Sequence, residues 1–306
     1  VSQIAEVFDD RVEVAGPWSH RRVSANGAQF HVAELGDGPL VLLLHGFPEF
    51  WWAWRHQLPR LAEAGWRAVA MDLRGYGGSD KPPRGYDPAT FAADITGVIQ
   101  SIGERSAVLV GHGWGAFGAW TAATFRPAHV RGVAALSMPH PVTLRRHLMR
   151  GHVIHAGGLL GAQTPWVPER RMMANEAAVV EDLLRSWASP GSGFPDEEAS
   201  ARYRAAMRIW PAPHCALEYQ RWAVRSLFRS DGRRFAKRME ASIDVPVLQI
   251  HGGQDRNFSS ALAKSSKRRV SGPHQWVQLE GVGHFPHEEA PELTSDILVE
   301  WLTRFR

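Results

Sequence analysis

Three stretches of the chain carry residue types that do nucleophilic or acid–base chemistry. Val108-Leu-Val-Gly111-His112-Gly113-Trp114-Gly115-Ala116 passes from an apolar strand-like run into a helix-like one through closely spaced glycines. His251-Gly-Gly-Gln-Asp255 ends on a carboxylate, and Gly281-Val-Gly-His284 ends on an imidazole. A carboxylate that orients an imidazole, which in turn serves a group on a sharp strand-to-helix turn, is the apparatus of hydrolysis through a nucleophile. The chain order of turn, acid and histidine is one that such sites use. The glycines also fit a dinucleotide fingerprint, Gly111-x-Gly113-x-x-Ala116. That fingerprint needs an acid about 20 residues further on to hold the ribose. No Asp or Glu occurs from Phe117 to His140, so the hydrolytic reading is the stronger. Its middle position is Gly113, which has no nucleophilic atom.

The elements needed to hold these groups are legible around them. Arg21 to Glu34 reads as a hairpin turning at Asn26-Gly27. Leu40 to Leu44 is a continuous apolar run, as a central parallel strand covered on both faces requires. Further strands are expected at Arg67 to Leu73, Ala107 to Val110, Val130 to Ser137, Val245 to Ile250 and Trp276 to Leu279. A helix opens at Asp87-Pro88, another spans Trp114 to Phe125 before Pro127, and a last one runs from Pro291 to Phe305. Strands alternating with helices give an α/β fold with a mostly parallel, doubly wound sheet. Between Ser137 and Val245 strand alternation stops, and prolines separate helical patches. The expected organisation is a core of residues 1–139 and 241–306, with residues 140–240 as a helical cap.

Composition limits the function classes. The 306 residues carry a net charge of +4. Residues 140–240 hold 16 Lys or Arg against 10 Asp or Glu, and the remainder holds 19 against 21. The basic excess is regional and interleaved with acids, and no nucleic-acid-binding signature accompanies it, so no nucleic-acid partner is expected. Light peripheral contact between the basic cap and a membrane remains open. The start of the chain lacks a basic, then apolar, leader, and runs such as Leu40 to Leu44 fall far short of the ~20 residues of a spanning helix. One cysteine, Cys215, excludes an intrachain disulfide and reads as a buried apolar residue, so a cytoplasmic location is expected. His284-Phe-Pro-His287 lacks an evident third ligand, so neither a metal nor another cofactor is expected.

His45-Gly-Phe-Pro-Glu49, Asp72-Leu-Arg-Gly-Tyr-Gly-Gly-Ser-Asp80-Lys-Pro82 and Gly111-His-Gly-Trp-Gly115 complete a set with the segments ending at Asp255 and His284. Together they resemble the epoxide-hydrolase branch of the α/β hydrolases, specifically an epoxide-hydrolase-like group of actinobacterial type. Gln163-Thr-Pro165-Trp-Val-Pro168-Glu169 resembles an element of that family's helical cap. The resemblance implies His284 as base, Asp255 as its orienter, and the backbone amides of Phe47 and Trp114 as an oxyanion hole. It assigns His45, His112, Gly158, Tyr219 and Gln220 to the substrate pocket, although histidines in such loops are more often structural. It also exposes departures. The family's aspartate nucleophile falls on Gly113, and its two ring-opening tyrosines fall on Gly158 and Gln220, with Tyr219 available if the register slips by one. Three lost groups in two parts of the chain fit natural divergence better than removal of one residue by design. Dehalogenation as in the related haloalkane dehalogenases would need the same aspartate.

Three readings follow. The chain acts on a small apolar molecule with water activated by His284 and Asp255, or it binds such a molecule without turning it over. The third is an interaction or membrane-surface protein that uses the basic cap.

Overall fold

The computed structural model describes residues 9–150 and 161–306. Asn26 and Gly27 both take positive φ, 44° and 73°, the twist that a two-residue hairpin turn requires. They join β1 (Ser19–Ala25) to β2 (Ala28–Leu35) in antiparallel register, with Ala25 opposite Ala28. β2 pairs antiparallel with β4 (Arg67–Met71), and every later pairing is parallel. β3 (Leu40–Leu44), β5 (Ala107–His112), β6 (Val130–Leu136), β7 (Val247–Gly252) and β8 (His274–Leu279) complete an eight-stranded sheet of order β1-β2-β4-β3-β5-β6-β7-β8. β3, β5 and β7 are buried along their whole length. This is the expected α/β architecture with a mostly parallel sheet.

Helices connect the strands: α1 (Gln57–Glu63), α2 (Pro88–Ser101) and α3 (Trp114–Phe125). Asp87 caps α2 by accepting from the N–H groups of Ala89 and Thr90, and Pro88 sits where no N–H is needed. α1 was not evident in the sequence because Pro59 interrupts the pattern. In the structure Pro59 falls in the first turn, where proline is tolerated. β7 begins at Val247 rather than Val245, since Pro246 has no N–H for the ladder.

Between β6 and β7 the described residues form helices α4 (Pro141–Met149), α5 (Val167–Met173), α6 (Ala178–Trp187), α7 (Glu197–Met207), α8 (Ala212–Arg225) and α9 (Ser230–Arg238). After β7 come α10 (Ser260–Lys264), α11 (Pro286–Glu289) and α12 (Pro291–Leu302). No helix of the described residues is long and apolar enough to cross a membrane.

Candidate active site

β5 ends at His112 and α3 begins at Trp114, so the chain reverses within one residue. Gly113 makes that turn at φ 52°, ψ −120°, a conformation that residues with a Cβ adopt only under strain. Gly115 is required for a different reason: a Cβ there would collide with the carbonyl oxygens of Leu44 and His45. A Cβ on Gly113 would meet only the Cα of Gly46 at 3.5 Å and Nε2 of His284 at 3.9 Å. A side chain at this position would therefore stand beside His284.

His284 and Asp255 come together as the sequence suggested. Nδ1 of His284 lies 3.0 Å from Oδ2 of Asp255, which leaves Nε2 facing Gly113. Oδ1 of Asp255 accepts from the N–H groups of Asn257 (2.7 Å) and Phe258 (3.2 Å). Burial works against the Asp255 charge, but the His284 and His251 imidazoles and these hydrogen bonds outweigh it and hold the carboxyl below its ordinary range. The N–H of His284 donates to the Trp187 carbonyl at 3.0 Å, and the two rings meet edge to face. Trp187, at the end of α6, thus ties the helical insertion to the dyad. Nothing in the sequence pointed to it.

A cavity of about 480 Å³ opens in front of the dyad. Gly113, Trp114, Phe47, Asn257, Phe258 and His284 line it from the core, and Leu144, Leu183, Trp187, Leu217 and Gln220 from the insertion. No Asp or Glu is among the described residues that line it. The backbone N–H groups of Phe47 and Trp114 have no hydrogen-bond partner among the described residues. Nδ2 of Asn257 is also buried without a partner.

Of the residues assigned to the pocket, Gln220 lines this cavity and three do not. His45 is fully buried behind the loop. Its Nδ1 donates to the Gly46 carbonyl (2.8 Å), and its Nε2 accepts from the N–H of Leu73 (3.0 Å). Tyr219 donates its hydroxyl to the Arg74 carbonyl at 2.9 Å and packs among Tyr76, Tyr86 and Phe91. The neighbouring α8 position faces the cavity instead, so the one-residue register slip does not bring Tyr219 into it. Gly158 lies outside the described residues. Cys215 is buried, and burial raises its thiol above the ordinary value.

His112 is the third correction, because it lies beneath the dyad rather than on the cavity wall. Its Nδ1 faces Oε2 of Glu49 at 2.7 Å, and its Nε2 faces the His284 carbonyl at 2.9 Å. Both partners accept, so both ring nitrogens donate and the ring is an imidazolium. Burial opposes that charge, but Glu49 outweighs it and raises His112 above the usual histidine value. Oε1 of Glu49 takes a second bond from Nε2 of His287 at 2.9 Å, and Oε2 accepts from the N–H of Gly46. Burial would raise the Glu49 carboxyl, but the two histidines hold it well below its ordinary range. His287 lies in the short helix α11 rather than a loop, and Glu49 and His112 are the metal-capable neighbours that sequence reading missed. Glu49 meets both histidines at hydrogen-bond lengths, so the trio is a buried ion pair with a neutral histidine attached.

A family model described as the alpha/beta hydrolase fold matches residues 39–291. The AB hydrolase superfamily protein YfhM of Bacillus subtilis is 31% identical over 286 residues, covering 92% of this chain and 96% of that protein. Epoxide hydrolase A of Mycobacterium tuberculosis is 30% identical, covering 94% and 98%. Among solved structures, the epoxide hydrolase VrEH1 of Vigna radiata superposes with a TM-score of 0.81 at 29% identity, covering 94% of this chain and 98% of that one.

Proposed function

The chain belongs to the alpha/beta hydrolase fold family and has epoxide-hydrolase-like relatives, and on that premise we propose that it hydrolyses a small apolar molecule by direct attack of water, without a covalent intermediate. The observation that carries the reading is the paired His284 and Asp255 facing open space at Gly113, where relatives of this kind would be expected to hold a carboxylate. A water in that space is within reach of Nε2 of His284. His284 takes one proton as the water oxygen bonds to the substrate's electrophilic carbon, and Asp255 stabilises the imidazolium that forms. The N–H groups of Phe47 and Trp114 receive the negative charge on the substrate oxygen. His284 then returns its proton to the leaving oxygen.

That last step selects the substrate class. Gln220 donates a hydrogen bond but gives up no proton, and Tyr219 is committed to Arg74. The leaving oxygen must therefore be one that His284 itself reaches. Apolar esters and lactones satisfy this better than epoxides, whose opening alkoxide needs an acid on the opposite side of the carbon. The test is turnover of a panel of esters, lactones and epoxides by the unaltered protein, His284→Ala and Asp255→Asn. His284→Ala should lose ~10²–10⁴ in rate on every active substrate, the usual worth of a general base. Asp255→Asn should fall between the two by favouring the wrong tautomer. Equal turnover by the unaltered protein and His284→Ala would leave a cavity that binds without catalysing.

A further inference from the structure

Six large apolar side chains stand exposed among the described residues: Met149, Trp166, Val167, Trp210, Phe228 and Leu293. All but Leu293 belong to the helical insertion. Three of them adjoin or belong to the cavity wall. Met149 ends α4, Val167 opens α5, and Trp166 precedes it, 71% exposed. Leu148 and Val167 both line the cavity, so these two helix ends flank it, and the exposed Arg171 lines it as well. Exposed apolar side chains therefore stand next to the cavity wall in the chain.

Charge at the same rim is one-sided. Arg150, Arg170 and Arg171 are exposed and form no ion pair among the described residues. Residues 141–173 contain five arginines, at 145, 146, 150, 170 and 171, against one acid, Glu169. Glu169 is already taken by Arg221 at 2.8 Å and by His214 at 3.1 Å. A second copy of the chain offering the same rim would set like charges face to face. The partner that suits exposed Trp, Met and Val with arginines close by in the chain is apolar within and anionic at its surface.

We propose that this rim docks on an anionic lipid surface, so that the cavity receives its apolar ligand from the bilayer. Trp166 sits at headgroup depth, where an amphipathic indole is most stable. Met149 and Val167 reach toward the acyl boundary, and Arg150, Arg170 and Arg171 hold lipid phosphates at the rim. Docking does not depend on whether His284 catalyses, so its test needs no turnover.

The experiment is flotation of the full chain with phosphatidylcholine vesicles that contain or lack phosphatidylglycerol, across a salt series. The bound fraction should rise with phosphatidylglycerol and fall with salt, because each rim arginine contributes separately screened attraction. Trp166→Ser combined with Met149→Ser, and separately Arg170→Glu combined with Arg171→Glu, should each weaken binding by roughly tenfold or more. These positions are exposed, so thermal melting should be unchanged, and Leu293→Ser on α12 should bind as the unaltered protein does. Absent binding, equal binding to both vesicle types, or binding that survives both rim variants would overturn the proposal. So would a concentration-dependent doubling of mass in solution that Trp166→Ser abolishes, since the rim would then be an interface between copies.

Discussion

At the residue scale the site depends on how few groups do each task. Gly113 turns at φ 52°, a conformation in which any added side chain is strained. Gly113→Ala should cost about 1–3 kcal/mol in urea unfolding, the usual price of such a backbone state. Gly113→Asp would place a carboxylate beside Nε2 of His284, yet it should open epoxides only feebly, because no acid meets the alkoxide. Adding Gln220→Tyr on the cavity wall should raise the rate by more than the product of the separate effects, since nucleophile and acid serve one transition state. Below the dyad, Glu49→Gln would remove the charge that raises His112, so the buried ring should give up its proton, and a loss of about 1–3 kcal/mol is expected on unfolding. His284, Asp255 and the gap at Gly113 were legible in the sequence because each ends a short glycine-marked segment after a strand. The Glu49–His112–His287 cluster was not, because it joins residues 49, 112 and 287, whose association only the fold creates. Glu49 was visible as part of a motif, but without a partner its role could not be read.

At the element scale the strand ends decide what the loops can reach. The parallel strands β3, β5 and β7, with β6 between the last two, run in one direction, so the loops after them deliver Phe47, Gly113 and Asp255 to the same end of the sheet. The helix from about Trp114 to Phe125 was legible, since glycines mark its start and Pro127 its end. β8 was read too short because it is half-exposed along most of its length and lacks a continuous apolar run. Close approach of α3 to β3 depends on Gly115, and Gly115→Ala should destabilise the chain more than Gly113→Ala, because its Cβ would overlap the backbone carbonyls of Leu44 and His45, whereas the nearest atom at Gly113 is 3.5 Å away. His140, the N-cap of α4, shows a different dependence. Burial, with Arg269 nearby, lowers it from 6.5 to about 3. Between those values the unfolded chain binds a proton that the folded chain refuses, so this stabilisation is complete above 6.5 and is lost progressively as pH falls toward 3. His140→Asn keeps an acceptor for the N–H of Val142 without a titrating ring. Its stability should fall with acid less steeply than that of the unaltered protein, by up to about 1.4 kcal/mol per pH unit in that window.

At the scale of the whole molecule, sheet and insertion make the cavity jointly. The core supplies His284, Asp255 and the turn, the insertion supplies most of the apolar wall, and the bond from the His284 N–H to the Trp187 carbonyl links the two. The presence of a helical insertion was legible because strand alternation stops and prolines accumulate. Which of its side chains face the cavity was not, because helical register alone does not separate Gln220 from Tyr219 until the packing partner of α8 is known. The account's central claim is that water attacks directly at a turn without a nucleophile. It is tested most directly by mixing the protein with an aryl ester that it turns over, following product release through the first turnover and weighing the quenched protein. The account predicts linear release with no initial burst and a chain of unchanged mass. A burst equal to the protein concentration, with an acyl group bound to any residue of the chain, would contradict it.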